Sequence, residues 1–151
     1  NWRYLAAFQP LAIDRPELHR RLARRWGIAA ELNAKGARCV DQALAAGPSP
    51  ESVEDLQFLK ELFGVYQPFT EALADFHGAL NLYYTRSGER QKTAVLLASA
   101  GGKGRQSREL AARAFPRPID PSGGELGTLR RLLDLFVQSC AAMQKKAAQP
   151  R

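Results

Sequence analysis

At 151 residues, 45% of them hydrophobic and 25% charged, the chain has the size and composition of one ordinary globular domain, which excludes a disordered tail and needs no disulfide scaffold. Its longest uninterrupted apolar runs, such as Ala94 to Ala98, fall far short of the roughly 20 residues of a membrane span. A net charge of +7 points to a polyanionic partner without establishing one.

The pattern predicts a mostly α protein, a single helical domain over 1–151 built as a bundle of about five helices. Asp14 with Glu17 three residues on makes a capping-box-like start, and Pro16 sits in the first turn, where a missing N–H is harmless. Leu18, Leu22, Trp26, Ala29 and Asn33 then share one side of a helix, and Ala30, Leu32, Ala37, Val40 and Leu44 extend the apolar cover. That side is read as core. Gly27 and Gly36 weaken the run, and the stretch from Ala45 to Pro50 ends it.

Ser49, Pro50 and Glu51 start a second helix, with Val53, Leu56, Leu59, Leu62, Phe63 and Tyr66 at three- and four-residue steps. Pro68 is expected to kink or split it before Phe69, Leu73, Phe76 and Leu80 resume the spacing. These aromatics, and His77 among them, read as core.

Between Ala79 and Ala100 the reading is helix, turn, helix, with the turn at Ser87 and Gly88. A small β-hairpin near residues 82–96 is the alternative, because Tyr83, Tyr84, Thr85, Thr93 and Val95 suit strands. Against it, no other segment offers strands to pair with, and a lone hairpin is marginal in water. The third helix is expected to end at Gly101 and Gly102, and a short fourth to run from about Gln106 to Phe115, stopped by Pro116 and Pro118. Ser122 with Glu125 caps a fifth, whose stripe is Leu126, Leu129, Leu132, Leu133, Phe136, Val137, Cys140 and Met143. The tail from Lys145 to Arg151 reads as frayed.

The segment from Leu96 to Phe115 has the order of a phosphate-binding loop: an apolar run, a glycine turn with a lysine, then an Arg-studded helix. A Walker A loop requires G-x-x-x-x-G-K-[ST]. Gly102 and Lys103 match the central pair, but Leu97 stands in place of the first glycine and Gly104 in place of the hydroxyl, so the motif fails. A dinucleotide fingerprint fails on spacing and on the lack of a βαβ context. What remains is a glycine turn carrying Lys103 and Arg105 into a helix N-terminus, a place where free amides favour an anion.

Other chemistry finds little support. His19 and His77 are the only histidines, with no zinc spacing, so no metal and no cofactor is expected. Cys39 and Cys140, far apart, read as two reduced and largely buried thiols of a cytoplasmic protein. Cys39, Asp75 and His77 could supply a nucleophile, an acid and a base, yet Asp75 and His77 are two apart on a helix and point in different directions. Leu129 to Leu133 has L-x-x-L-L spacing, which a core helix needs equally.

Charge distribution carries the functional reading. From Glu51 to Tyr84, six carboxylates against Lys60 alone give −5, so the other 117 residues hold +12 of the total +7. On the first helix, Arg20, Arg24, Lys35 and Arg38 project opposite the predicted core, with Arg21 and Arg25 on a flank. That stripe is about 27 Å long, comparable to several nucleotides of backbone. A second basic region, Arg86 to Arg117, adds Arg86, Arg90, Lys103, Arg105 and Arg108, and Tyr84 precedes it, as an aromatic for stacking unpaired bases would. The expectation is a non-catalytic accessory protein that binds DNA or RNA through phosphate contacts, together with other protein subunits and without a membrane. The alternative is a helical interaction module that docks charged partner surfaces. An enzyme whose site converges across helices ranks third.

Overall fold

A computed structural model describes residues 14–85, 88–115 and 125–149, with the side chains of 125–128 left aside. Four helices and no strand occupy them: α1 (Pro16–Ala45), α2 (Pro50–Tyr84), α3 (Arg90–Ala114) and α4 (Glu125–Ala148). Each helix lies antiparallel against the one before it. Partners fall in number as the chain advances: His19 meets His77, Asn33 meets Thr70 and Asp41 meets Lys60, and α3 repeats the pattern on α2 and α4 on α3.

One buried cluster is built by α2, α3 and α4, with Val65, Phe69, Leu73, Phe76 and Leu80 from α2, Leu97 and Ala111 from α3, and Leu129, Leu133, Phe136 and Met143 from α4. Phe136 meets Phe69 and Phe76 edge to face, at ring centroid distances of 5.5 and 5.4 Å, a geometry that suits the ring quadrupoles. Helix α1 rests mainly on α2 and contributes Ala30 and Val40 outside that cluster, with Trp26 packed against its edge. More than half of its circumference is therefore open, and Leu18 and Leu32, expected in the core, are exposed.

The expected five helices become four because the Gly101–Gly102 pair does not end a helix. Residues 90–114 form one continuous α3, and the short helix from Gln106 is its second half. Glycine in a helix interior costs roughly 0.5–1 kcal/mol relative to alanine. Close packing compensates here, since a Cβ on Gly104 would sit 2.9 Å from the Phe136 ring. Gly104 thus lets α4 approach α3 closely. The hairpin alternative falls as well, because 82–84 close α2 and 90–96 open α3.

Pro68 does not split α2 either. It lacks the N–H that the Gly64 carbonyl would accept, and at the neighbouring carbonyl the fully buried Ser107 hydroxyl donates to Val65 O at 2.7 Å, which ties α3 to this point. Ser49 caps α2, accepting from the Ser52 amide, as the Ser-Pro-Glu start predicts. The cap of α1 is Arg15 without a side-chain bond, so the Asp14 capping box does not form. At Gly36, an added Cβ would meet Phe63 at 2.6 Å, which explains a glycine inside α1. Helix α4 buries Leu129, Leu132, Leu133, Phe136, Cys140 and Met143 of the predicted stripe and leaves Val137 half-buried, and it runs through Lys145 and Lys146 to Ala148, where fraying was expected. Its Ser122 cap, and the stops at Pro116 and Pro118, lie outside the described residues.

Candidate docking faces on α1 and α2

Outside α1, four cations among the described residues, Lys60, Lys92, Lys103 and Arg108, have carboxylate partners, and those partners limit the positive charge that is free to act. Lys103 Nζ reaches Asp75 Oδ2 at 2.9 Å and Glu71 Oε2 at 3.2 Å, while Ser99 donates to the same Asp75 oxygen at 2.7 Å. Partial burial pulls Lys103 down, but hydrogen bonds to Asp75 and Glu71 outweigh it and hold the ammonium above the ordinary lysine value. This lysine sits in mid-helix on a carboxylate pair, not on the exposed glycine turn expected of it. Arg108 lies 3.6 Å from Asp134, Lys92 pairs with Glu89, and Lys60 with Asp41.

On α1 the balance differs. Six cations stand against three carboxylates, of which Glu17 is taken by Arg20 and Asp41 by Lys60. Arg21, Arg24, Arg25, Lys35 and Arg38 are exposed and form no ion pair among the described residues. Helical advance spreads them over both sides of a ridge formed by Ile28 and Leu32, which are 48% and 62% exposed. The outer face of α1 is therefore a basic surface with an aliphatic centre.

The start of α2 has the opposite character. Glu51, Glu54, Asp55 and Glu61 are exposed, without ion pairs among the described residues, around Phe58 and Leu59 at 47% and 38% exposure. Lys60 and Phe63 turn toward α1. Glu51, Glu54, Phe58 and Glu61 fall on the other side of the helix, where Phe58 meets Phe115 at 5.9 Å.

The remaining predicted residues are dispersed. Tyr84 is half-buried and stacked on His19, ring centroids 5.6 Å apart, with Tyr83 edge-on and Lys146 5.9 Å from its centroid. Burial, then Tyr83 and Asp14, raise its phenol pKa. Arg90, at the α3 start, borders a cavity of about 460 Å³ with Gln91, Leu97 and Gln144. Arg105 is exposed, and Arg86 lies outside the described residues. The structure thus brings Arg20, Arg21, Arg24, Lys35 and Arg38 together on one helix and sets the α3 residues elsewhere.

Two features escaped the sequence reading. The exposed Leu18, Leu32 and Leu59 were assigned to core by spacing alone, and only the open side of α1 and the open flank of α2 reveal them. The second is a buried histidine pair: His19 and His77 Nδ1 atoms lie 3.0 Å apart, so one proton serves both. Burial, reinforced by His19, pulls His77 down to about 3. Their separation of 58 residues leaves no local signal.

Cys39 is exposed and Cys140 buried, both free, which corrects the expectation of two buried thiols. Burial pushes the Cys140 thiol up to about 12, against a weaker opposing pull from Arg105. Among the described residues, no group of three or more His, Cys, Asp or Glu side chains could hold a metal ion, and no helix is long and apolar enough to cross a membrane. Compared with protein-family models, curated proteins and solved structures, the chain matches none.

Proposed function

We propose that the chain is a non-catalytic interaction module whose working surface is the outer face of α1, docking a partner that is acidic and partly apolar. The observation that carries this reading is the Ile28 and Leu32 ridge set among five cations without ion pairs among the described residues. Phosphate recognition needs the cations but gives exposed aliphatic side chains little to do, whereas protein interfaces combine an apolar centre with a charged rim. Charge complementarity then selects the partner and speeds encounter.

DNA or RNA binding is the second reading, favoured by the row of cations from Arg21 to Arg38, about 26 Å long at about 1.5 Å per residue. It draws less support from the other basic region, since Lys103 and Arg108 face carboxylates and the Tyr84 ring is stacked on His19.

Fluorescence anisotropy separates the two. The probes are an acidic amphipathic helical peptide and single- and double-stranded DNA and RNA oligonucleotides. In the docking reading, Arg24→Ser and Leu32→Ser both weaken peptide binding. In the phosphate reading, oligonucleotides bind, Leu32→Ser is silent, and Arg24→Ser lowers the salt slope by about 0.7 to 0.9 per lost phosphate contact. A peptide that fails to bind at low salt, or binds Leu32→Ser as well as the parent chain, overturns the docking reading.

A further inference from the structure

We propose that the chain associates with itself head to tail, the basic outer face of α1 in one copy seating on the acidic start of α2 in the next. This inference rests on the docking reading and names its partner as a second copy. The chain itself supplies the complementary surface: Phe58 and Leu59 exposed among Glu51, Glu54, Asp55 and Glu61, against Ile28 and Leu32 exposed among Arg21, Arg24, Arg25, Lys35 and Arg38. Both faces have an apolar centre, both have a rim of one sign, and the signs are opposite.

The shorter patch fits within the longer. At about 1.5 Å per residue, Glu51 to Glu61 covers about 15 Å and Arg21 to Arg38 about 26 Å, so the acidic patch lies along part of the basic one as two packed helices. Like-with-like pairing of two α1 faces is disfavoured, because it would set Arg21, Arg25 and Lys35 against their own copies.

Orientation decides the symmetry. On α2, Lys60 and Phe63 face α1, while Glu51, Glu54, Phe58 and Glu61 lie on the far side. The outer face of α1 points away from α2. The two patches thus look in opposite directions, so a single copy cannot satisfy both by itself. A two-fold dimer cannot join them either, because it would require both on the same side. A heterologous contact, repeating from copy to copy, remains.

Sedimentation velocity of the purified chain over a range of concentrations, at about 50 mM and about 500 mM salt, tests this, since screening weakens the rim at the higher value. The expected result at low salt is a species that grows with concentration past the dimer and returns to monomer at high salt. Two variants alter exposed positions only, with circular dichroism to verify their fold: Leu32→Ser with Lys35→Ser on α1, and Glu54→Ser with Glu61→Ser on α2. Each alone should raise the Kd of self-association at least about tenfold. Mixed in equal amounts they retain one intact basic face and one intact acidic face, so they form a pair and stop there. A chain that stays monomeric at low salt, or one whose assembly ignores both variants, overturns the inference. If such a monomer still binds the acidic peptide, the docking reading stands without self-association; if it binds neither, both fall. A monomer whose α1 face takes DNA or anionic vesicles instead assigns that face to another partner and overturns self-association.

Discussion

Acid should loosen this protein through the His19–His77 contact between the start of α1 and the end of α2. His77 falls from 6.5 to about 3 on folding, burial being the larger cause and His19 the smaller. The unfolded chain therefore takes up a proton on His77 below pH 6.5 that the folded chain refuses until about 3. Stability linked to this group is complete above 6.5, declines as pH falls, and levels off below about 3. Each pH unit inside the window removes about 1.4 kcal/mol, so pH 5 costs about 2 kcal/mol relative to neutral pH, a sizeable share of a typical domain's stability. The assay is urea unfolding of the parent chain and His77→Gln at about pH 7.5 and 5.0. Gln preserves a hydrogen-bonding partner for His19 and does not titrate. The variant is expected to lose about 2 kcal/mol less than the parent between the two pH values. Parallel losses in both proteins would refute the argument.

Three further outcomes follow from the packing. Gly104→Val drives a branched side chain against the Phe136 ring and should lower stability by about 1 to 3 kcal/mol in the same unfolding assay, despite the better helix propensity of valine. Lys103→Met leaves Asp75 and Glu71 without their cation; because the group is one-third exposed, the loss should be about 1 kcal/mol, with no change in peptide or oligonucleotide binding. With a maleimide at neutral pH, Cys39 should react in the native protein and Cys140 only after unfolding, as mass spectrometry would show by a single adduct.

Much of the helical architecture was legible along the chain. Ser49 and Pro50 start α2, Pro16 starts α1, and the stripe from Leu129 to Met143 is the buried side of α4, because capping chemistry and a period of about 3.6 residues are local properties. The basic stripe of α1 was legible for the same reason. Gly101 and Gly102 show where local reasoning stops: the pair reads as a helix end, yet α3 runs through it and packs on α4, with Cys140 beside Gly101 and the Phe136 ring against Gly104, both more than thirty residues away. Pro68 is similar, held within α2 alongside a hydroxyl from Ser107.

Composition and periodicity by themselves determined that this is a helical protein with segregated charge and a strongly amphipathic last helix, since each depends on neighbours within a turn or two. Tertiary structure alone decided which charges remain free. It paired Lys103 with Asp75 and Glu71, joined His19 to His77, and left one side of α1 open with Ile28 and Leu32 among its arginines. The physical reason is that ion pairing and burial depend on distance in space, and a helix pattern shows only which side a residue occupies. What lies against that side is set by the rest of the chain.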